Sequence, residues 1–128
     1  VCDAVSITWA GLVAHDSIPE LDRSAHMLFS ADLNAACPNS VIEALGCGLP
    51  VLSFDTGALP ELVTDGSGVI VPYGGDPWKL ERADIPALAR AAQRIMDNQP
   101  EFRTKARQRA VNAFDLVDMT DRYLSVLL

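Results

Sequence analysis

The run Asn34–Val63, NAACPNSVIEALGCGLPVLSFDTGALPELV, constrains the fold more than any other part of the chain. A polar loop leads into a helical segment, Asn39–Cys47, with Glu43 early in it. Gly48 ends that helix, and Pro50 bars its renewal. Pro50–Phe54 is then a continuous apolar run, as in a strand whose sheet is covered by helices on both faces. Thr56-Gly57-Ala58 leads into a second helix, Leu59–Val63, with Pro60 near its start. In an open α/β sheet this order of strand, loop and helix presents backbone N–H groups to an anionic ligand.

The flanking segments extend the same pattern. Val5–Trp9 reads as a β-rich strand, and Ile18–Ala25 as a short helix with Ser17 as N-cap and Pro19 in its first turn. His26–Ser30 reads as the next strand, and Val69–Val71 as another after the turn Asp65–Gly68. Tyr73–Lys79 is a Gly/Pro loop. Ile85–Asn98 carries Ile85, Leu88, Ala92 and Ile95 on one stripe and is predicted to be an amphipathic helix. Two more helices are expected, about Pro100–Phe114 and Val117–Leu127. The predicted fold class is α/β: a Rossmann-like parallel sheet flanked by helices, with right-handed crossovers. Residues 1–128 form one partial domain, with C-terminal helices over about 100–127.

Charge is distributed unevenly. The net charge is −7, which argues against nucleic acid as a partner. Residues 1–80 hold ten acids against only Arg23 and Lys79. A phosphate site built from that half would rest on backbone dipoles without Lys or Arg. No apolar run approaches the length of a membrane span, and no leader pattern opens the chain, so a cytoplasmic location is expected. Cys2, Cys37 and Cys47 form neither a CxxC pair nor an even set and are read as reduced thiols. No cofactor or metal site is expected, and no HExxH, GxSxG, P-loop or GxGxxG occurs.

Cys37-Pro38-Asn39-Ser40-Val41-Ile42-Glu43-Ala44, Gly48-Leu49-Pro50-Val51 and Thr56-Gly57-Ala58-Leu59-Pro60-Glu61-Leu62 together resemble the donor-binding core of retaining glycosyltransferases. The family is the GT-B type glycosyl transferases group 1, and the resemblance spans about Ile7 to Gln99. It implies a C-terminal, donor-binding half that binds a nucleoside diphosphate sugar. The full enzyme would transfer the sugar to an acceptor hydroxyl with retention. The family's catalytic base lies in the other domain, so no catalytic residue is assigned here and a missing N-terminal acceptor domain is the expected partner. The chain is read as a fragment that would not act alone.

The resemblance implies that Glu43 accepts hydrogen bonds from ribose hydroxyls. A carboxylate suits this because it is acceptor-only when ionised. The residues by themselves allow another role, since Ser40-x-x-Glu43 is also a capping box. Cys37, Pro38, Asn39, Ser40 and Val41 are expected to aim N–H groups at the diphosphate or at sugar hydroxyls. Gly57 is expected to permit a backbone conformation or close approach that other residues bar. The Gly11–His15 loop, with Val13 and His15, would lie against the nucleobase. Ala35 stands where the family carries an acid toward the donor sugar, so the resemblance implies that the sugar is held differently, or less tightly, or by an acid from a neighbour such as Asp32.

Some features have simpler structural readings. Glu61 is a first-turn acid, His26 a packed or edge histidine, and Trp9 and Trp78 core residues. Arg103, Lys105, Arg107 and Arg109 read as a solvated helix face. Two other function classes fit the same residues: a non-catalytic nucleotide-sugar-binding or interaction module, and a GT-B-like sugar-nucleotide epimerase.

Overall fold

The computed structural model describes residues 6–128. The elements run α1 (Ile18–Ser24), β1 (Leu28–Ser30), α2 (Asn39–Gly46), β2 (Val51–Phe54), α3 (Leu59–Leu62), β3 (Gly68–Val71), α4 (Ile85–Asp97), α5 (Gln99–Ala113) and α6 (Leu116–Leu127). The three strands form a parallel sheet in the order β1-β2-β3, with Leu28 opposite Val51 and Val51 opposite Gly68. This is the expected Rossmann-like α/β arrangement.

The central strand β2 is buried along its whole length, as its apolar run requires. Alternate side chains serve two cores. Val51 packs with Val41, Leu45, Leu59 and Ala106, from α2, α3 and α5. Leu52 and Phe54 pack with Val71, Ile95 and Phe102, from β3, α4 and α5. The α4 stripe is therefore a core stripe, although Ile85 at its start is exposed.

Helix α2 ends as the Gly48-Leu49-Pro50 sequence requires. Gly48 has φ +72°, its N–H donates to Leu45 O, and the Leu49 N–H donates to Ala44 O. A Cβ on Gly48 would lie 3.3 Å from the Arg103 carbonyl, so glycine also lets α5 approach the end of α2.

Four expectations need correction. Ser6–Trp9 is not a strand, and Ile7 and Trp9 are exposed; Val5 lies outside the described residues. Its β-rich composition states a preference, whereas a strand also needs a partner, and none of the described strands pairs with it. Trp9 and Trp78 are 91% and 78% exposed, so neither is a core residue. His26 is exposed ahead of β1, and its carbonyl accepts a bond from Gln99 Nε2.

The fourth correction concerns the basic residues of α5, which hold the domain together. Arg103 donates to the carbonyls of Arg23 and Ala25, at the end of α1. Arg107 donates to Gly46 O, the last residue of α2. Arg109 donates to Glu61 O and Leu62 O, at the end of α3, and its guanidinium stacks 5.2 Å from the Phe114 ring centre. Each arginine thus satisfies orphan carbonyls at one negative helix end. Only Lys105 fits the solvated reading, pairing with Glu101 on its own helix.

Replacing Arg103, Arg107 or Arg109 singly with Met keeps the stem and removes these bonds. Each substitution should cost roughly 1 kcal/mol, below the ~1.5–3 kcal/mol usual for hydrogen bonds to a charged group, because the sites are partly exposed. Urea unfolding of the 128-residue chain measures this, and midpoints unchanged for all three variants would contradict it.

Candidate functional site

The site is built on the carboxyl edge of the sheet. Helix α2 follows β1 and α3 follows β2, and the strands are parallel, so both helices start at the same edge. The two connecting loops are bonded together. The Ala58 N–H donates to Ala35 O at 2.8 Å, and Thr56 Oγ1 donates to Asp32 O at 3.1 Å. Gly57, at φ +55°, sits over this junction, and a Cβ there would lie 2.6 Å from Ala35 O. Close approach of two backbones therefore demands the glycine. Ala35 is buried beneath it, so a longer side chain at position 35 would have to displace this junction.

The capping box does not form. Pro38 is the N-cap of α2 and makes no side-chain cap bond, so Ser40 is the second helical residue and Glu43 the fifth. Fixed φ at Pro38 starts the helix instead. The Glu43 carboxylate, exposed on the second turn, is not consumed by its own helix. The amides of Asn39, Ser40 and Gly57 have no backbone acceptor among the described residues. The Val41 N–H donates to Pro38 O, and its side chain is fully buried in the core. Cys37, Asn39 and Ser40 are exposed and Pro38 is half-buried.

The expected ligand residues do not share one cavity. His15 and Glu43 come together in a cavity of about 90 Å³ between α1 and α2, with Ile18, Pro19, Asp22 and Cys47. Val13 lies in a neighbouring shallow depression with Ala10, Ser17 and Leu21. Cys37–Val41 and Gly57 lie along the carboxyl edge and line neither cavity. The edge and the α1–α2 groove are joined through α2, which starts at one and carries Glu43 into the other.

Asp22 was not recognisable from sequence. It is 21 positions from Glu43, on another helix, and only tertiary packing joins them. Burial pushes its carboxyl above the ordinary value of 3.8, and the charge of Glu43 adds to the rise. An ionised Asp22 therefore costs the fold stability. The cost is absent below pH 3.8, where folded and unfolded chains are both protonated, and is complete above the raised native value. Asp22→Asn should accordingly raise the melting temperature at about pH 7, with a gain that shrinks as the pH falls toward about 4. A gain independent of pH, or a loss at pH 7, would contradict this origin.

Among the described residues, no helix is long and apolar enough to cross a membrane, and no three His, Cys, Asp or Glu side chains group as a metal site. The pattern of the family described as Glycosyl transferases group 1 matches residues 2–98. An alpha-maltose-1-phosphate synthase from Mycolicibacterium smegmatis is 24% identical over 86 residues, covering 66% of this chain and 22% of that protein. A lipopolysaccharide core biosynthesis mannosyltransferase from Rhizobium meliloti is 30% identical over 91 residues, covering 69% of this chain and 23% of that protein. A 2-deoxystreptamine N-acetyl-D-glucosaminyltransferase from Streptomyces fradiae is 29% identical over 84 residues, covering 66% and 18%. The chain thus spans less than a quarter of the length of these curated relatives. A sucrose-phosphate synthase structure from Thermosynechococcus elongatus superposes with a TM-score of 0.73 at 24% identity, covering 94% of this chain and 30% of that one. That likeness shows a GT-B type Rossmann-like fold, and the family pattern covers about three-quarters of the sequence: the chain belongs to the group 1 glycosyltransferase family.

Proposed function

We propose that this chain is the donor-binding unit of a retaining glycosyltransferase, taking a nucleoside diphosphate sugar for transfer to an acceptor hydroxyl. The observation that carries the reading is the pair of helix starts tied together at one sheet edge. The free N–H groups of Asn39 and Ser40 begin the same helix that carries Glu43 into the α1–α2 groove. Positive helix ends suit a diphosphate. The unspent Glu43 carboxylate suits sugar hydroxyls, and the Val13–His15 loop beside the groove suits the base.

The same edge explains why the chain is read as half of a site. No Lys or Arg lies between Arg23 and Lys79, and the arginines of α5 are spent on helix ends. The remaining diphosphate charge would be met by Lys or Arg from further strands and helices of the same domain in the longer protein, and the catalytic base would come from an N-terminal acceptor domain. A cytoplasmic setting fits a nucleotide-sugar donor. The observation favouring a binding module without catalysis is Ala35: it is buried and brings no acid to the donor sugar.

The test is a transfer assay with defined nucleotide sugars and acceptor. The 128-residue chain alone should not exceed the enzyme-free background. In the protein that carries it together with an acceptor domain, Glu43→Gln should lower turnover at least about tenfold, the worth of one hydrogen bond to a charged group, without lowering the melting temperature. Wild-type turnover in the longer protein that Glu43→Gln leaves unchanged would remove Glu43 from the site. No transfer by the longer protein, with nucleotide binding retained, would favour the binding module.

A further inference from the structure

We propose that α6 is a self-association helix: two copies of this chain pair their α6 helices antiparallel, apolar side to apolar side. Helix α6 buries none of its residues against its own chain. Leu116, Tyr123 and Leu127 are 69%, 66% and 76% exposed. A helix of this length is marginal in water by itself, because helices in proteins draw most of their stability from packing an apolar side. Eight large apolar side chains from Leu116 to Leu128 stay 47% to 102% exposed, well beyond the scattered apolar residues of an ordinary surface.

The apolar side is continuous. Leu116, Thr120, Tyr123 and Leu127 recur at intervals of four, three and four residues, the spacing of a seam between two packed helices. Met119 and Val126 flank this seam on one side, Val117 and Leu124 on the other. Asp118, Asp121, Arg122 and Ser125 lie on the opposite, polar side. A lipid surface is the poorer occupant, because interfacial helices carry Lys and Arg on the polar side, whereas α6 carries Asp118 and Asp121 against Arg122 alone.

The order of residues points to a second copy. The helix LVDMTDRYLSVL carries its apolar residues at the same places read from either end. An antiparallel pair centred between Asp121 and Arg122 sets Leu116 opposite Leu127 of the second copy, Val117 opposite Val126, Met119 opposite Leu124 and Thr120 opposite Tyr123. A two-fold interface requires such a patch, complementary to itself, whereas a partner with an unrelated surface would impose no such symmetry. One pair of short helices buries less than the ~800 Å² per partner of a standard interface, so the dimer should be reversible, with a Kd on the order of 10 µM. Helix α6 lies beyond residues 2–98, which the family pattern matches, and Leu116 lies near Gly46 and Arg107, at the carbonyl end of α2. Pairing there would leave the proposed donor edge open.

Sedimentation equilibrium of the 128-residue chain between about 1 and 300 µM tests this. The mass should rise with concentration from the 13.8 kDa of the monomer toward twice that value. Tyr123→Glu and Leu127→Lys, both on the seam, should each weaken association at least about tenfold. Ser125→Glu, which adds the same charge as Tyr123→Glu but on the polar side, should change it less than about twofold. Leu116→Glu combined with Leu127→Lys places opposite charges together only in the antiparallel pair, and should associate about threefold more tightly than Leu127→Lys alone. Circular dichroism at the lowest concentration confirms that each variant folds. A chain that stays monomeric throughout, a dimer that Tyr123→Glu and Leu127→Lys leave intact, or a double variant as weak as Leu127→Lys would overturn the pairing. Binding of the wild-type chain to phosphatidylcholine or phosphatidylglycerol vesicles, without self-association, would overturn it in favour of a lipid surface.

Discussion

The domain depends on the arginines of α5 reaching the carbonyl ends of three other helices. Helices α1, α2 and α3 each run into the strand that follows, so their negative ends gather at the amino edge of the sheet. Burying or crowding three such ends without partners would leave orphan carbonyls on each. Arg103, Arg107 and Arg109 supply the donors, and all three come from one helix. Each arginine joins parts of the chain 47 to 80 positions apart, so α5 fastens the early elements at once.

This arrangement sorts the charge of the molecule. Cations collect at the amino edge, against helix carbonyls, while the positive helix ends at the carboxyl edge stay open. That edge and the adjoining groove carry acids: Asp32 and Asp55 follow β1 and β2, and Glu43 lies on α2. A diphosphate would meet dipoles and amides there, without fixed cations from this chain. Carboxylates suit hydroxyls better than phosphates, so in the proposed reading sugars would lie against α1 and α2 and phosphates over the two helix starts. The group 1 glycosyltransferase family assignment and the GT-B type fold agree with a ligand at that edge.

Much of this was legible in the sequence, and what was missed follows a physical rule. Strand β2 and helices α2, α4 and α5 were visible because their signals are local: an apolar run, a stop at Gly48, a stripe at helical spacing. The glycine at 57 was legible as a constrained position, though not as the floor over Ala35 that it forms. The strand read at Val5–Trp9 failed over Ser6–Trp9 because pairing is not a local property. The capping box failed because Pro38 begins the helix two residues earlier than Ser40. The three arginines looked like a solvated face because their partners are backbone carbonyls, which no sequence pattern announces. Asp22 carried no signal for the same reason: its neighbour Glu43 is brought to it by packing alone.

The open helix starts at the carboxyl edge are the proposed ligand site. Amide chemical-shift mapping of the isotopically labelled chain during titration with a nucleoside diphosphate tests it most directly. The earliest saturable shifts should fall on Cys37–Val41 and Gly57–Ala58, with Glu43 close behind. Shifts confined to the opposite edge, around Gly66, Arg94 and Lys105, where another cavity of about 180 Å³ lies, would contradict it.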